Sequence, residues 1–218
     1  MTKINQAVIK TLILARGGSK GIPRKNVIDV NGKPLIQYAI EAAKSSNAND
    51  VYVSTDCATI MLESIKHKAK VLMRPYNLSL DDSKSEEALL HFADKIPFDI
   101  LVFIQPTSPL VTPEDINAGL IMIKDYDSVF SAYKEHWLPR WTLKSQPSGW
   151  NANSRPMRQD IEAEYVENGA IYITTRQQLE QSRLRYSGNI GILEMPFARS
   201  FQVDSIGDLQ LIRQLLKP

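Results

Sequence analysis

Short, nearly all-apolar runs alternate with amphipathic stretches over the first 133 residues. The runs are rich in β-branched residues and lie at residues 9–14, 51–54, 69–72, 100–104 and 128–133. Continuous apolar runs of this length are typical of strands that are buried on both faces of a parallel sheet. The alternation therefore predicts an α/β fold with a doubly wound, mostly parallel sheet, Rossmann-like in type.

Helical segments are predicted between these runs, at residues 34–46, 83–95 and 113–124. Pro34 suits a first helical turn, and Ser83 with Glu86 has the spacing of a capping box. Thr112 precedes Pro113, which is typical of a capped helix start. After residue 169 the alternation resumes with a strand at 170–174, a helix at 176–181, a strand at 190–194 and a helix at 205–216.

Residues 134–167 interrupt this alternation. The segment contains the three tryptophans of the chain together with a polar, proline-containing stretch. Its aromatic content argues against disorder and favours a segment that packs on another surface, such as a second subunit. We therefore expect one domain over residues 1–218, with residues 134–167 as a dimerisation excursion.

Composition excludes several classes of function. A net charge of +2 among 218 residues gives no reason to expect a nucleic-acid partner. One cysteine and three scattered histidines disfavour a disulfide framework and a zinc centre. No apolar stretch approaches the length of a membrane span, and no signal peptide is recognised. We expect a cytoplasmic protein without a membrane partner.

A glycine-rich basic loop follows the first predicted strand. It contains four cations within ten residues: Arg16, Lys20, Arg24 and Lys25. Glycines allow a backbone to approach an anion, and ligands of α/β sheets lie beyond the carboxyl ends of strands. The loop matches neither the P-loop nor the GxGxxG pattern. A solvated basic turn is the alternative, but the position after a buried strand favours a site for the phosphates of a nucleotide triphosphate.

Polar residues also follow later strands. Arg74 ends the third strand and precedes Ser83 and Ser85 at a predicted helix start, where phosphate or ribose oxygens could bind. Further polar groups occur at 105–108, 155–160 and 167–169. Asp204 precedes the last helix, and its spacing alone favours a helix N-cap over a metal ligand.

Eight segments in order resemble one family. They are ILARGGSKGIPRKN, GKPLIQYAIEAA, VYVSTD, RPYNLSLDDSKS, IQPTSPL, YDSVFSA, RPMRQD and ENGAIYI. Together they are similar to the acylneuraminate cytidylyltransferases, the CMP-sialic acid synthetases, from residue 12 to about residue 208. The resemblance implies Mg²⁺-dependent transfer of CMP from CTP to the anomeric hydroxyl of a nine-carbon 2-keto sugar acid, with release of pyrophosphate. It also implies a homodimer whose excursion reaches the partner's active site.

The resemblance also implies roles for individual residues. Arg16 and Lys25 match the cations that bind the triphosphate, and Arg158 matches the active-site arginine. The other expected nucleotide contacts are Leu14, Ala15, Gly18, Asn26, Arg74, Ser83 and Ser85. The expected sugar contacts are Gln105, Thr107, Gln159 and Asn168, and Asp204 is the expected metal ligand.

Two positions depart from the family pattern. Gln202 stands where the family commonly has a first metal-binding aspartate, and an amide is a weaker, neutral ligand for Mg²⁺. Val166 stands where some bacterial members have an arginine, so recognition of the substrate carboxylate falls to Arg158 or another cation. Two alternatives stay open: a Kdo cytidylyltransferase, and a non-catalytic nucleotide-binding homologue.

Overall fold

A seven-stranded sheet organises the molecule in the computed structural model, which describes residues 7–217. The strand order is β11-β7-β10-β6-β1-β4-β5. These strands are β1 (Ile9–Leu14), β4 (Val51–Thr55), β5 (Lys70–Met73), β6 (Ile100–Ile104), β7 (Ser128–Glu135), β10 (Glu164–Thr175) and β11 (Ile190–Glu194). Two short hairpins contain β2 (Asp29–Val30) with β3 (Lys33–Pro34), and β8 (Arg140–Trp141) with β9 (Pro147–Ser148).

The sheet is mostly parallel, as the sequence predicts. β1 pairs in parallel with β4 and β6, and β11 pairs in parallel with β7. Only β10 among the sheet's seven described strands runs antiparallel to its neighbours, β6 and β7. The α/β fold class is therefore confirmed, with one reversed strand inside the sheet.

Six α-helices connect the strands in the described part of the chain. They are α1 (Leu35–Lys44), α2 (Ala58–Lys66), α3 (Ser85–Lys95), α4 (Pro113–Met122), α5 (Arg176–Ser182) and α6 (Ile206–Leu215). All except α2 are predicted from the sequence to within a few residues. The pattern of α2 is weak because only Ile60 and Ser64 of its residues are buried.

The helix starts correct two details of the sequence analysis. Pro34 is the residue before α1 and pairs within the β2–β3 hairpin, so it does not begin the helix. Ser83 is not the cap of α3, because its Oγ accepts a hydrogen bond from Leu80 N at 3.0 Å and donates to Asn77 O. The predicted cap of α4 is confirmed: Thr112 Oγ1 accepts from Asp115 N, and Thr112 N donates to the Asp115 carboxylate.

Two apolar layers cover the two faces of the sheet. Ile13, Val53 and Ile104 pack with residues of α1 and α4 on one face. Leu12, Phe103 and Phe92 belong to the cluster on the other face, which α3 covers. β1 and β6 are therefore central strands, as their sequences predict. The prediction of burial on both faces is wrong for the third run, because β5 is an edge strand with Lys70 and Met73 exposed.

The excursion leaves the sheet between β7 and β10 and comprises residues 136–163. It is narrower than predicted, because Glu135 and Glu164 are still paired across the two strands. The Trp150 ring stands edge-on to Trp141 at 5.0 Å and to Trp137 at 6.0 Å between centroids. Trp150 Nε1 also donates to Arg140 O at 2.9 Å. The three tryptophans thus give the excursion a small aromatic centre of its own.

Across residues 7–217, no helix is long and apolar enough to cross a membrane.

Phe92 offers a direct test of the packing between α3 and the sheet. Its ring is fully buried, 5.8 Å from Phe98 and 5.2 Å from Tyr52 between centroids. We expect Phe92→Ala to lower the free energy of unfolding in urea by about 3–5 kcal/mol through a cavity that cannot collapse. Leu62→Ala, at an exposed position on α2, should change it by about 0.5 kcal/mol or less. Equal effects of the two substitutions would contradict this packing.

Candidate functional site

Two adjoining cavities lie beyond the carboxyl ends of the central strands. The first, of about 330 Å³, is bordered by the basic loop and is called the loop cavity here. The second, of about 440 Å³, is bordered by β10 and is called the bulge cavity. Gln105 and Asp204 line both cavities. Because two cavities share these residues, ligands bound in them would meet at this point.

The loop cavity brings together most of the predicted nucleotide site. Its lining includes nine predicted residues: Leu14, Arg16, Gly18, Lys25, Asn26, Ser85, Gln105, Thr107 and Asp204. The parallel pairing of β1 with β6 explains why residues 14–26 lie beside residues 105–107. Thr107, a predicted sugar contact, borders this cavity and not the bulge cavity.

Close packing accounts for Gly17 and Gly21 of the basic loop. A Cβ on Gly21 would lie 2.3 Å from the backbone oxygen of Asp204. A Cβ on Gly17 would lie 2.9 Å from Cys57 Cβ, and Gly17 N donates to Asp56 Oδ1 at 2.8 Å. Both positions therefore need glycine, since a side chain would separate the loop from the segments that hold it.

Three cations of the loop, Arg16, Lys20 and Lys25, are paired with nearby oxygen atoms. Arg16 donates from Nη1 to Leu80 O at 2.6 Å, and its Nη2 lies 3.0 Å from Asp81 Oδ1. Lys20 Nζ contacts the other oxygen of Asp81 at 3.2 Å. Lys25 Nζ lies 2.8 Å from Asp204 Oδ1. These pairs are partly exposed, so a multiply charged anion could replace the carboxylates at small cost.

Asn26 is the buried polar residue of the loop. Its Nδ2 donates to Arg16 O at 2.9 Å and so fixes the backbone that presents the Arg16 side chain. Its Oδ1 is buried and accepts no hydrogen bond within residues 7–217. A buried acceptor without a partner costs free energy, so this oxygen is suited to a ligand donor or a water.

Three of the predicted nucleotide residues line neither cavity. Ala15 is buried, and its N donates to Ser54 O. The Ser83 hydroxyl forms hydrogen bonds with Leu80 and Asn77 in its own loop. Arg74 is 8% exposed, and no group among residues 7–217 accepts a hydrogen bond from its Nε. Burial lowers the pKa of Arg74, an effect that the charge of Asp56 opposes.

Asn168 is engaged in a network inside the sheet. Its Oδ1 accepts from Ser131 Oγ at 2.6 Å, and its Nδ2 donates to Ser200 Oγ at 2.9 Å. Gln202 Nε2 donates to the backbone oxygen of Asn168 at 2.5 Å. This network stabilises the irregular part of β10, where pairing with β7 shifts register between Glu167 and Tyr172. Asn168 borders the bulge cavity, but its side-chain amide is hydrogen-bonded to Ser131 and Ser200.

Gly169 and Gln202 fit each other closely. Gly169 has φ of +68°, and a Cβ there would lie 2.3 Å from Gln202 Nε2. The Gln202 amide donates its N–H to the Asn168 carbonyl, whereas a carboxylate at this position could only accept. Gln202, which stands where the family commonly has an aspartate, thus stabilises the backbone at Asn168 in this chain.

Asp204 does not cap α6, which corrects the N-cap interpretation. The cap of α6 is Ser205, whose Oγ accepts from Asp208 N, while the Asp208 carboxylate accepts from Asp204 N and Ser205 N. The Asp204 side chain is 64% exposed. No group of three or more His, Cys, Asp or Glu side chains in the described range 7–217 could hold a metal ion. A single carboxylate still fits Mg²⁺, which commonly uses one or two carboxylates plus substrate phosphates.

Arg158 and Gln159 lie outside both cavities of their own chain. They belong to a short 3₁₀ turn of the excursion and are exposed. The charged residues that line the bulge cavity are Glu167, Asp204 and Asp208, and none of its lining residues within 7–217 is Lys, Arg or His. The bulge cavity of one chain is therefore acidic.

Tyr133 and Glu167 line the bulge cavity without having been predicted as site residues. Glu167 directly precedes the predicted Asn168, so its position in the sequence was a usable signal. Tyr133 had no such signal, because it enters the cavity only through the pairing of β7 with β10.

The hydrogen bond from Gln202 can be tested with Gln202→Glu. The variant places a carboxylate against the Asn168 carbonyl, so we expect a loss of about 1–3 kcal/mol in unfolding free energy at neutral pH. Protonation restores a donor, and the folded-state pKa of the new carboxyl is raised. The difference in unfolding free energy between the variant and the wild type should therefore shrink as pH falls. Gln210→Glu, exposed on α6, is the control. Equal stability of the two variants in urea titrations would exclude a stabilising role for Gln202.

The chain is similar to known proteins over most of its length. A family model described as Cytidylyltransferase matches residues 11–215. N-acylneuraminate cytidylyltransferase A of Danio rerio is 37% identical over 207 residues, which are 90% of this chain and 48% of the relative. N-acylneuraminate cytidylyltransferase of Streptococcus agalactiae is 30% identical over 208 residues, 90% of this chain and 50% of the relative. The chain thus spans about half the length of the curated relatives it matches.

A solved structure shares the fold. It is CMP:2-keto-3-deoxy-manno-octonic acid synthetase complexed with CTP, with a TM-score of 0.71 and 22% identity. The superposition covers 96% of this chain and 98% of that one. At this identity the similarity concerns the fold alone. The family match over nearly the whole sequence goes further: this chain belongs to the cytidylyltransferase family.

Proposed function

We propose that this chain transfers CMP from CTP to the anomeric hydroxyl of a nine-carbon 2-keto sugar acid and releases pyrophosphate. The observation that carries the proposal is the pair of adjoining cavities that share Gln105 and Asp204. One is bordered by cations and the other by polar and acidic groups. The names of the relatives from Danio rerio and Streptococcus agalactiae support a sialic-type acid as the acceptor.

The loop cavity is the proposed nucleotide site. Arg16 and Lys25 would exchange Asp81 and Asp204 for phosphate oxygens, while Asn26 holds the Arg16 backbone in place. Ser85 borders the same cavity at the first residue of α3. Such transfer requires little covalent chemistry from the protein, so catalysis depends mainly on positioning the reactants and stabilising charge. Cations on the leaving pyrophosphate lower the barrier as its charge develops.

The reaction needs no enzyme nucleophile. The anomeric oxygen of the sugar acid bonds to the α-phosphorus, and the hydroxyl proton passes to solvent water. The bond from that phosphorus to the oxygen shared with the β-phosphorus breaks, and pyrophosphate leaves with that oxygen. Gln105, which borders both cavities, is placed to orient the sugar at this junction. Thr107, two residues after Gln105, lines the loop cavity. The Thr107 Oγ1 lies 3.4 Å from Gln105 Oε1.

Asp204 would hold the Mg²⁺ ion, with the triphosphate and water as further ligands. Its exposed carboxylate and its position between the two cavities fit that use. When bound, the ion would neutralise phosphate charge during the transfer. Gln202 is occupied with the backbone of Asn168, so we assign it no place among the ligands.

The acidic bulge cavity requires a cation for an anionic sugar acid. Because that cavity contains no basic lining residue in residues 7–217 of its own chain, we propose that Arg158 reaches it from a second subunit, with Gln159 beside it. The excursion, residues 136–163, would then cross a homodimer interface. Its exposed Leu138, Leu143 and Met157 support burial against a partner.

The function is tested by incubation with CTP, Mg²⁺ and a panel of N-acetylneuraminic, legionaminic, pseudaminic and octulosonic acids. We expect pyrophosphate release with at least one nine-carbon acid. Turnover of the octulosonic acid alone would favour the Kdo enzyme, whose fold this chain shares. Folded protein that is silent across the panel, with CTP binding unaffected by Mg²⁺, would indicate a non-catalytic nucleotide-binding protein.

Subunit complementation tests the origin of Arg158. We expect Arg16→Ala and Arg158→Ala each to abolish turnover without unfolding the protein. If each site combines Arg16 of one chain with Arg158 of the other, an equal mixture allowed to exchange subunits should recover about a quarter of wild-type activity, because half of the dimers hold one intact site.

Arg24→Ala is the matched control, since Arg24 lies in the same basic loop but lines neither cavity. It should retain activity. A mixture as inactive as its components would place both arginines in a site of one chain. Activity in either single variant would instead remove that arginine from the mechanism.

A further inference from the structure

Glu167 stands out among the residues that line the bulge cavity. Its carboxylate accepts hydrogen bonds from two tyrosine hydroxyls: a short one from Tyr172 and one of 3.1 Å from Tyr186. One bond goes to each oxygen, and a carboxylate has about four acceptor positions. Two positions therefore remain for further donors, and Glu167 is among the residues that line the bulge cavity.

The two tyrosines hold this carboxylate firmly. The Tyr172 ring is 2% exposed and stacks on Phe103 at 5.4 Å and on Tyr186 at 6.1 Å between centroids. Burial, together with the Glu167 carboxylate, raises the pKa of Tyr172, so the hydroxyl remains a donor at neutral pH. A group whose supports are packed in this way is preorganised for recognition.

Arg185, the cation that lies over the Tyr172 ring, is paired with another carboxylate than Glu167. The Arg185 guanidinium lies over the Tyr172 ring, 5.1 Å from its centroid, and its Nε donates to Glu86 Oε1 at 2.6 Å. Arg185 and Glu86 thus compensate each other, which leaves Glu167 as a negative acceptor at the cavity. Such a group repels the carboxylate of a sugar acid and attracts its hydroxyl and amide donors.

We propose that Glu167 is a specificity-determining residue for the sugar acid. Its carboxylate accepts hydrogen bonds from hydroxyl or amide N–H groups on the part of the substrate that is remote from the substrate's own carboxylate. This inference rests on the proposed function, because it concerns the acceptor sugar of that reaction. It assigns a chemical requirement: a substituent at this end must not be anionic and must carry a hydrogen-bond donor.

The test compares wild type with Glu167→Gln at saturating CTP. The substrates are the best sugar acid of the panel and analogues in which one hydroxyl or amide group at a time is replaced by hydrogen. For wild type, we expect one deletion to raise KM about tenfold or more, the effect of losing a hydrogen bond to a charged group. For Glu167→Gln, the KM of the parent sugar should rise, and that same deletion should cost about twofold or less.

The comparison between substrates cancels the general gain from removing a negative charge, because every analogue keeps its carboxylate. CTP binding by calorimetry should be unchanged in the variant. Glu194→Gln is the matched control: Glu194 accepts from Tyr165 at 2.7 Å but does not line the cavity. Its KM values should follow those of the wild type for every substrate.

Two failures are distinguishable. Identical deletion costs in wild type and Glu167→Gln, with normal turnover, would overturn the role of Glu167 and leave the proposed function intact. Wild-type protein that turns over no sugar acid would overturn the proposed function and, with it, this inference.

Discussion

The parallel pairing of β1 with β6 is the contact on which the site depends. Its register places Ile13 opposite Ile104, so the basic loop and the residues that follow β6 leave the sheet side by side. Burial of both strands fixes this register, because a slip by one residue would move their apolar side chains to the wrong faces. A functional loop can be rich in glycine and charge when the strands beneath it are held in this way.

Charge divides the site into two unlike halves. Arg16 and Lys25 border the loop cavity, each with a carboxylate as its partner. Partly exposed pairs of this kind contribute about 0–1 kcal/mol, so the pairs keep the cations in position without competing strongly with a triphosphate. The bulge cavity carries acidic groups instead. The two cavities therefore favour different ligand chemistry although they share a boundary.

The reversed strand β10 connects this site to the C-terminal segment. Its irregular part at Asn168 and Gly169 is held by Gln202 from the segment before α6, and Gly21 touches the Asp204 backbone from the other side. Asp204 is consequently positioned by contacts to two distant parts of the chain. The amide at Gln202 strengthens that connection, whereas a carboxylate at the same place would repel the Asn168 carbonyl.

The sequence by itself determined the fold class, five of the six described helices and the group of residues around the basic loop. Buried strands have continuous apolar runs, and capped helices have local signals, so these features depend on near neighbours in sequence. Tertiary structure alone decided that the Asn168 amide bonds within the strand and that Ser83 bonds within its own turn. It also decided that Glu167 lines a cavity while its carboxylate accepts from two tyrosines. Such roles depend on pairing between residues far apart in the chain, and the side-chain direction set by a β-bulge cannot be read from local spacing.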